Sequence, residues 1–124
     1  VNSIEQLINQ GCQLCQNEQY GEAIATFDCA IALSPRSSQA WNYRGNALSA
    51  MQRSAEALAA YDRAIALDGS YHQAWFNRGL LLAEMFAYGL ALAAYERAIA
   101  LHPDPRYLHA RDAIWLKNQL VAAV

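Results

Sequence analysis

The run from Gln39 to Leu67, QAWNYRGNALSAMQRSAEALAAYDRAIAL, is largely written again from Gln73 to Leu101 as QAWFNRGLLLAEMFAYGLALAAYERAIAL. Trp41 and Trp75, Gly45 and Gly79, Ala57 and Ala91, Tyr61 and Tyr95, and Ala64 and Ala98 all recur 34 positions apart. A fixed period of this length is the mark of helical repeat arrays, in which each unit buries its apolar face only by stacking on a neighbour. The same step backwards aligns Leu7, Gly11, Ala23, Phe27, Ala30 and Pro35, a fainter first copy with Leu in the Trp position. Three copies in 124 residues leave little chain for an appended catalytic domain.

The periodicity predicts paired helices. Apolar residues at Leu7, Ile8, Gly11 and Leu14 follow helical spacing from Ser3 to Gln16, with Asn2 or Ser3 as the cap, and resume at Ala23, Ile24, Phe27, Ala30, Ile31 and Leu33 until Pro35 stops them. The second pair opens at Ser37 or Ser38, breaks at Gln52 to Ser54 and closes at Asp68-Gly69; the third runs from about Tyr71 to Glu84 and from Ala87 to Leu101. From Arg106 a further helix begins with no partner after it, which suits a terminal element covering the last apolar face. Its tail, LVAAV, is apolar for an exposed end, so it packs tightly, continues into further chain or meets a partner. The expected organisation is therefore residues 4–37, 38–71 and 72–105 as repeats and 106–124 as a capping helix.

Composition agrees with an all-α chain and narrows its partners. Alanine inflates the 55% hydrophobic content, and charged residues are only 16% with a net charge of -2. That leaves no basic footprint for nucleic acid or an anionic membrane. No long apolar run, leader pattern or lipidation signal is legible, so a cytoplasmic setting is the expectation, and a larger parent protein is compatible with a chain opening on Val1. Cys12, Cys15 and Cys29 are an odd number, which favours free thiols. The Cys12-x-x-Cys15 spacing lacks both the βαβ context of a redox motif and the second ligand pair of a zinc site, so small packing or groove-lining residues are expected, with no metal and no cofactor.

Trp41, Gly45, Leu48, Ala57, Tyr61 and Ala64 in the second unit, and Trp75, Gly79, Leu82, Ala91, Tyr95, Ala98 and Pro103 in the third, fill the pattern W-x2-L-G-x2-Y, A-x3-F, A, P. On these residues the chain resembles the tetratricopeptide repeat family, with Arg44 and Arg78 at a position often Leu, Gly69 for the closing Pro, and Leu7 for Trp in the first unit. The resemblance implies a right-handed α-solenoid of three helix-turn-helix repeats with a C-terminal capping helix. The glycines let paired helices approach, the aromatic residues fill the space so made, and Arg44 and Arg78 are expected to lay aliphatic stems on the core and pair with acids such as Asp28 or Asp62. His109 is expected in the Trp position of the last helix, as a partly buried packing residue.

In proteins that the chain resembles, the concave face lined by the first helix of each pair binds a peptide or another protein. Aligned on the glycines, that face carries Glu5, Ile8, Asn9, Cys12, Asn42, Tyr43, Asn46, Gln73, Phe76, Asn77, Leu80, Tyr107 and Arg111. One subtype grips a terminal carboxylate with a clamp of Lys, Asn and Arg. Here its positions hold Ile8, Cys12, Tyr43, Gln73 and Asn77, none a cation, so no carboxylate clamp is expected. Another subtype holds a peptide backbone with a ladder of asparagines, which Asn9 and Asn77 match and Tyr43 interrupts. The expectation is that Asn9, Asn42, Asn46 and Asn77 orient a segment while Tyr43, Phe76 and Leu80 take apolar side chains, against the plainer view of these amides as solvated positions. His72, His102 and His109 lie at turns or the cap, with no nucleophile motif or phosphate loop, so catalysis is not expected. The function expected is a non-catalytic protein-interaction scaffold; the alternatives are a self-assembly unit acting through the C-terminal helix, or the targeting arm of a larger protein.

Overall fold

A computed structural model describes residues 3–123, and among them there are seven helices and no strand. Asn2, an alternative cap, and Val124, the end of the apolar tail, lie outside the described residues. The chain divides into two compact units, residues 1–69 and 70–124. The first holds α1 (Ile4–Gln16), α2 (Tyr20–Leu33), α3 (Ser38–Ala50) and α4 (Ser54–Leu67). The second holds α5 (His72–Glu84), α6 (Tyr88–Leu101) and α7 (Pro105–Ala122). Within each unit consecutive helices pack against one another, and in the first unit α1 also meets α3.

Side-chain caps start the first helix in the first two pairs, whereas α5, entered from Tyr71, has none. Ser3 and Gln6 form a reciprocal capping box at α1: the Gln6 amide donates to Ser3 Oγ at 3.1 Å and the Ser3 amide to Gln6 Oε1 at 2.9 Å. Ser37 accepts from the Ala40 amide at 3.2 Å to open α3. The second helices, α2, α4 and α6, have no side-chain cap hydrogen bond. Each instead follows a left-handed residue, Glu18 (φ 60°), Gln52 (φ 59°) or Phe86 (φ 64°). In all three turns this residue's amide and the next one close back on the preceding helix: Glu18 to Cys15 O at 3.0 Å and Gln19 to Leu14 O at 2.8 Å, then Gln52 to Ser49 and Arg53 to Leu48, and Phe86 to Ala83 and Ala87 to Leu82. That pair of bonds is the Schellman arrangement, which glycine ordinarily occupies.

Small residues let the paired helices touch. Ala23, Phe27 and Ala30 in α2, Ala57, Tyr61 and Ala64 in α4, and Ala91, Tyr95 and Ala98 in α6 are all buried. Each aromatic ring lies over a glycine of the preceding helix: a Cβ added at Gly45 would stand 2.6 Å from Tyr61 Cε1, one at Gly79 2.5 Å from Tyr95 Cε1, and Gly11 faces the Phe27 ring equally closely. Arg44 behaves as expected, with its Nε 2.7 Å from Asp28 Oδ1 and its guanidinium over the Trp41 ring.

The last helix departs from the sequence expectation by one residue. The first helices begin at Ser38, His72 and Pro105, steps of 34 and then 33. The buried positions follow: Ala40 and Ala47 in α3, Ala74 and Leu81 in α5, Tyr107 and Ile114 in α7. Pro105 at the helix start, beside Asp104 accepting from the Arg106 amide at 2.8 Å, sets this shorter step. Half-buried Leu108 thus takes the Trp position, and His109 is exposed rather than packed. Asp112 takes the position of Gly45 and Gly79, and Trp115, 49% exposed, that of buried Leu48 and Leu82. A carboxylate stands where the other pairs seat an aromatic ring, so α7 is not shaped to receive a further helix in that way.

Candidate functional site

In the first unit, α1 and α3 border a cleft of about 360 Å³. Ile4, Glu5, Ile8, Asn9 and Cys12 line it from α1, and Ser37, Gln39 and Tyr43 from the start and body of α3. Residues 5, 8, 9 and 12 share one face because they are three or four apart on a helix. Ile8 is buried, packing with Leu7, Ala30 and Ala40, while Ile4, Cys12 and Tyr43 flank that cluster and stay partly accessible. The Tyr43 ring stacks on Phe27 at 6.1 Å between centroids, tilted by 22°. Phe27 is the ring that fills the space beside Gly11, so the element that closes the α1–α2 pair also braces the cleft wall.

Burial raises the Cys12 thiol above its ordinary pKa, and it raises Cys15 likewise, with the Cys12 charge adding to the effect. Both are held as neutral thiols near pH 7, poor nucleophiles that suit a lining role. Cys29, by contrast, is exposed on α2. Among the described residues no group of three or more His, Cys, Asp or Glu is placed to hold a metal ion, and no helix is long and apolar enough to cross a membrane.

Asn9, Cys12 and Tyr43 come together in this cleft, and the other two amides sought in the first unit do not. Asn42 is 2% exposed, inside the unit. Asn46 accepts a hydrogen bond from the Tyr61 hydroxyl at 2.6 Å, tying α3 to α4. In the second unit Gln73 is exposed, Asn77 half-buried and Leu80 40% exposed along α5. Phe76 is committed to an aromatic stack, 4.4 Å from the Tyr107 ring and 5.4 Å from Tyr95. Tyr107 is almost wholly buried, its hydroxyl 2.8 Å from His72 Nδ1, and the His72 ring stacks on His102 at 4.3 Å. Burial, and then the His102 charge, lower the His72 pKa, so the imidazole is neutral near pH 7 while its Nδ1 shares a hydrogen bond with the Tyr107 hydroxyl. Arg111 pairs with its neighbour Asp112 at 2.9 Å.

Gln39, Ser37 and Ile4 are cleft residues that the sequence reasoning did not single out. Gln39 was open to discovery, since it occupies the repeat position of Gln73. Ser37 was legible only as a cap, and Ile4 only as the first turn of a helix.

Tetratricopeptide repeat family models match residues 8–71 and 72–105. Comparison with curated protein sequences finds no match. Among solved structures, the Sgt2 TPR domain from Aspergillus fumigatus superposes with a TM-score of 0.92 at 22% identity, covering 98% of this chain and 82% of that one. The first TPR of Spaghetti (RPAP3), bound to the HSP90 peptide SRMEEVD, gives 0.87 at 24% identity over 98% and 97%. The Yersinia enterocolitica type III secretion chaperone SycD, in complex with a peptide of the translocator YopD, gives 0.83 at 20% identity over 92% and 93%. These likenesses show the fold, all-α and of the helical-solenoid class.

Proposed function

The chain belongs to the tetratricopeptide repeat family, and from that premise we propose that it is a non-catalytic interaction module whose first helices receive a peptide or protein segment. The observation that carries this reading is the α1–α3 cleft, with an apolar floor at Ile8, a braced aromatic wall at Tyr43 and amides at Asn9 and Gln39 around the rim. An apolar concavity with a few convergent polar groups is the usual form of a binding site. An amide both donates and accepts, so Asn9 and Gln39 suit a peptide backbone. Two of the similar structures hold peptides, which supports a ligand of the same kind. In the second unit the accessible contributors are Gln73, Asn77 and Leu80, while Phe76 shapes that surface from within its stack.

The reading includes the absence of a carboxylate clamp. Ile8, Cys12, Tyr43, Gln73 and Asn77 offer no cation, and neutral donors hold a carboxylate roughly half as strongly as charged ones.

The test is selection of displayed peptides on the wild-type protein, followed by affinity measurement on variants. Tyr43→Ala and Asn9→Ala should each weaken a selected peptide by about tenfold, near 1.4 kcal/mol. Arg63→Ala, on the exposed surface of α4, should leave it unchanged. Equal affinity for all three variants would remove the cleft from the account.

A second reading, self-assembly, is favoured by Trp115, Leu116 and Leu120 of α7, which are 49%, 56% and 61% exposed. Light scattering across concentrations decides it, a strict monomer ruling it out.

A further inference from the structure

We propose that the α1–α3 cleft selects a basic side chain, Lys or Arg, in the segment it binds. This inference rests on the peptide-binding reading above and adds the chemistry of the residue recognised. Among the described lining residues Glu5 carries the one charge. It is exposed, while Ile4 and Ile8 from its own helix and Tyr43 from α3, all more buried, supply the apolar surface of the cleft. A Lys or Arg side chain matches this order of surfaces, an aliphatic stem for the floor and wall and a cation at the end for the carboxylate. An acidic side chain would meet like charge at Glu5, and a purely aliphatic one would leave that carboxylate unpaired.

The cleft volume of about 360 Å³ suits one long side chain with its flanking backbone. Glu5 sits in the first turn of α1, where the helix macrodipole favours an acidic side chain. That location also offers a plainer role, support of the helix end. The two roles separate cleanly, because support of the helix end changes stability and leaves ligand choice alone.

The test uses three capped peptides, Ac-Gly-Leu-Xaa-Leu-Gly-NH2, with Xaa Lys, norleucine or Glu, titrated into isotopically labelled protein and followed by NMR. The caps remove terminal charges, so the three differ only in the probe side chain. The Lys peptide is expected to shift signals of Glu5, Asn9, Cys12 and Tyr43 and to bind about three- to tenfold more tightly than norleucine. The Glu peptide should bind more weakly than either. Glu5→Gln should bring Lys down to the norleucine level, and Glu5→Lys should invert the order of Lys and Glu, each with a melting temperature near wild type to show an intact fold. If all three peptides shift cleft signals with equal affinity, or Glu5→Gln keeps the Lys preference, the cation inference fails and the peptide site stands. If none of them shifts cleft signals, both fail.

Discussion

The Tyr61 ring occupies the space in which a Cβ on Gly45 would stand, and the same Tyr61 donates its hydroxyl proton to Asn46 Oδ1 at 2.6 Å. One aromatic residue thus sets both the closeness and the register of α3 against α4. Gly45→Ala should cost about 1–3 kcal/mol, because the ring is fully packed and cannot retreat without disturbing its neighbours. Gly79→Ala should do the same against Tyr95. Gly21→Ala is the control of opposite sign: a Cβ there meets nothing within 4 Å, in a helix, so it should stabilise by about 0.5–1 kcal/mol. Denaturant unfolding of the three variants checks all of these.

Tyr61→Phe isolates the hydrogen bond. The ring stays and the hydroxyl goes, leaving the Asn46 side chain short of that donor, so a loss of about 1–2 kcal/mol is expected in the same unfolding measurement.

Phe86 holds φ at 64° while 78% exposed, so its side chain gains little from packing and its backbone sits where a β-carbon is disfavoured. Phe86→Gly should therefore raise stability, by about 1 kcal/mol, read as a higher melting temperature. Phe86→Ala should not reproduce the gain, since alanine keeps the β-carbon.

The second unit should weaken in mild acid. The folded His72 pKa lies below its unfolded value near 6.5, so the unfolded chain binds more protons as the pH falls through that range. The stability tied to the neutral imidazole is complete above the unfolded pKa and is lost as pH drops toward the folded one. Asp104, held at about 2 by its hydrogen bonds from Arg106, does not titrate there. Melting temperatures at pH 7.5 and 5.5 should fall less for His72→Asn than for wild type.

Much of this architecture was legible in the residues, and for an identifiable reason. The positions that repeat, such as Gly45 with Tyr61 and Gly79 with Tyr95, are those whose packing is identical from pair to pair, so sequence and structure share one period. The one-residue shortening before α7 was not legible, because Tyr107 and Ile114 resemble neither Ala40 and Ala47 nor Leu81 closely enough to reveal it. The site was legible only in part. Asn9 and Cys12 line the cleft from α1, whereas Asn42 and Asn46, on neighbouring turns of α3, are drawn inward or toward Tyr61. A polar residue one helical step from a groove position can as well complete an interior hydrogen bond, and the sequence does not carry that distinction.

The peptide SRMEEVD, found with one similar structure, gives a direct test of the proposal that this chain binds without a carboxylate clamp. This chain should bind the free-acid peptide no more tightly than its C-terminal amide, since neutral side chains fill the five clamp positions. Calorimetry with the two forms checks it, and a strong preference for the free acid would show a carboxylate site elsewhere on the surface.

The central claim is that the first helices carry the ligand. Chemical-shift mapping of a selected peptide on the labelled protein tests it most directly. The predicted result is a cluster of shifts at Ile4, Asn9, Cys12, Gln39 and Tyr43, with α2 and α4 quiet on their exposed sides at Cys29 and Arg63. Shifts concentrated at Cys29 and Arg63, with Asn9 and Tyr43 unmoved, would contradict it.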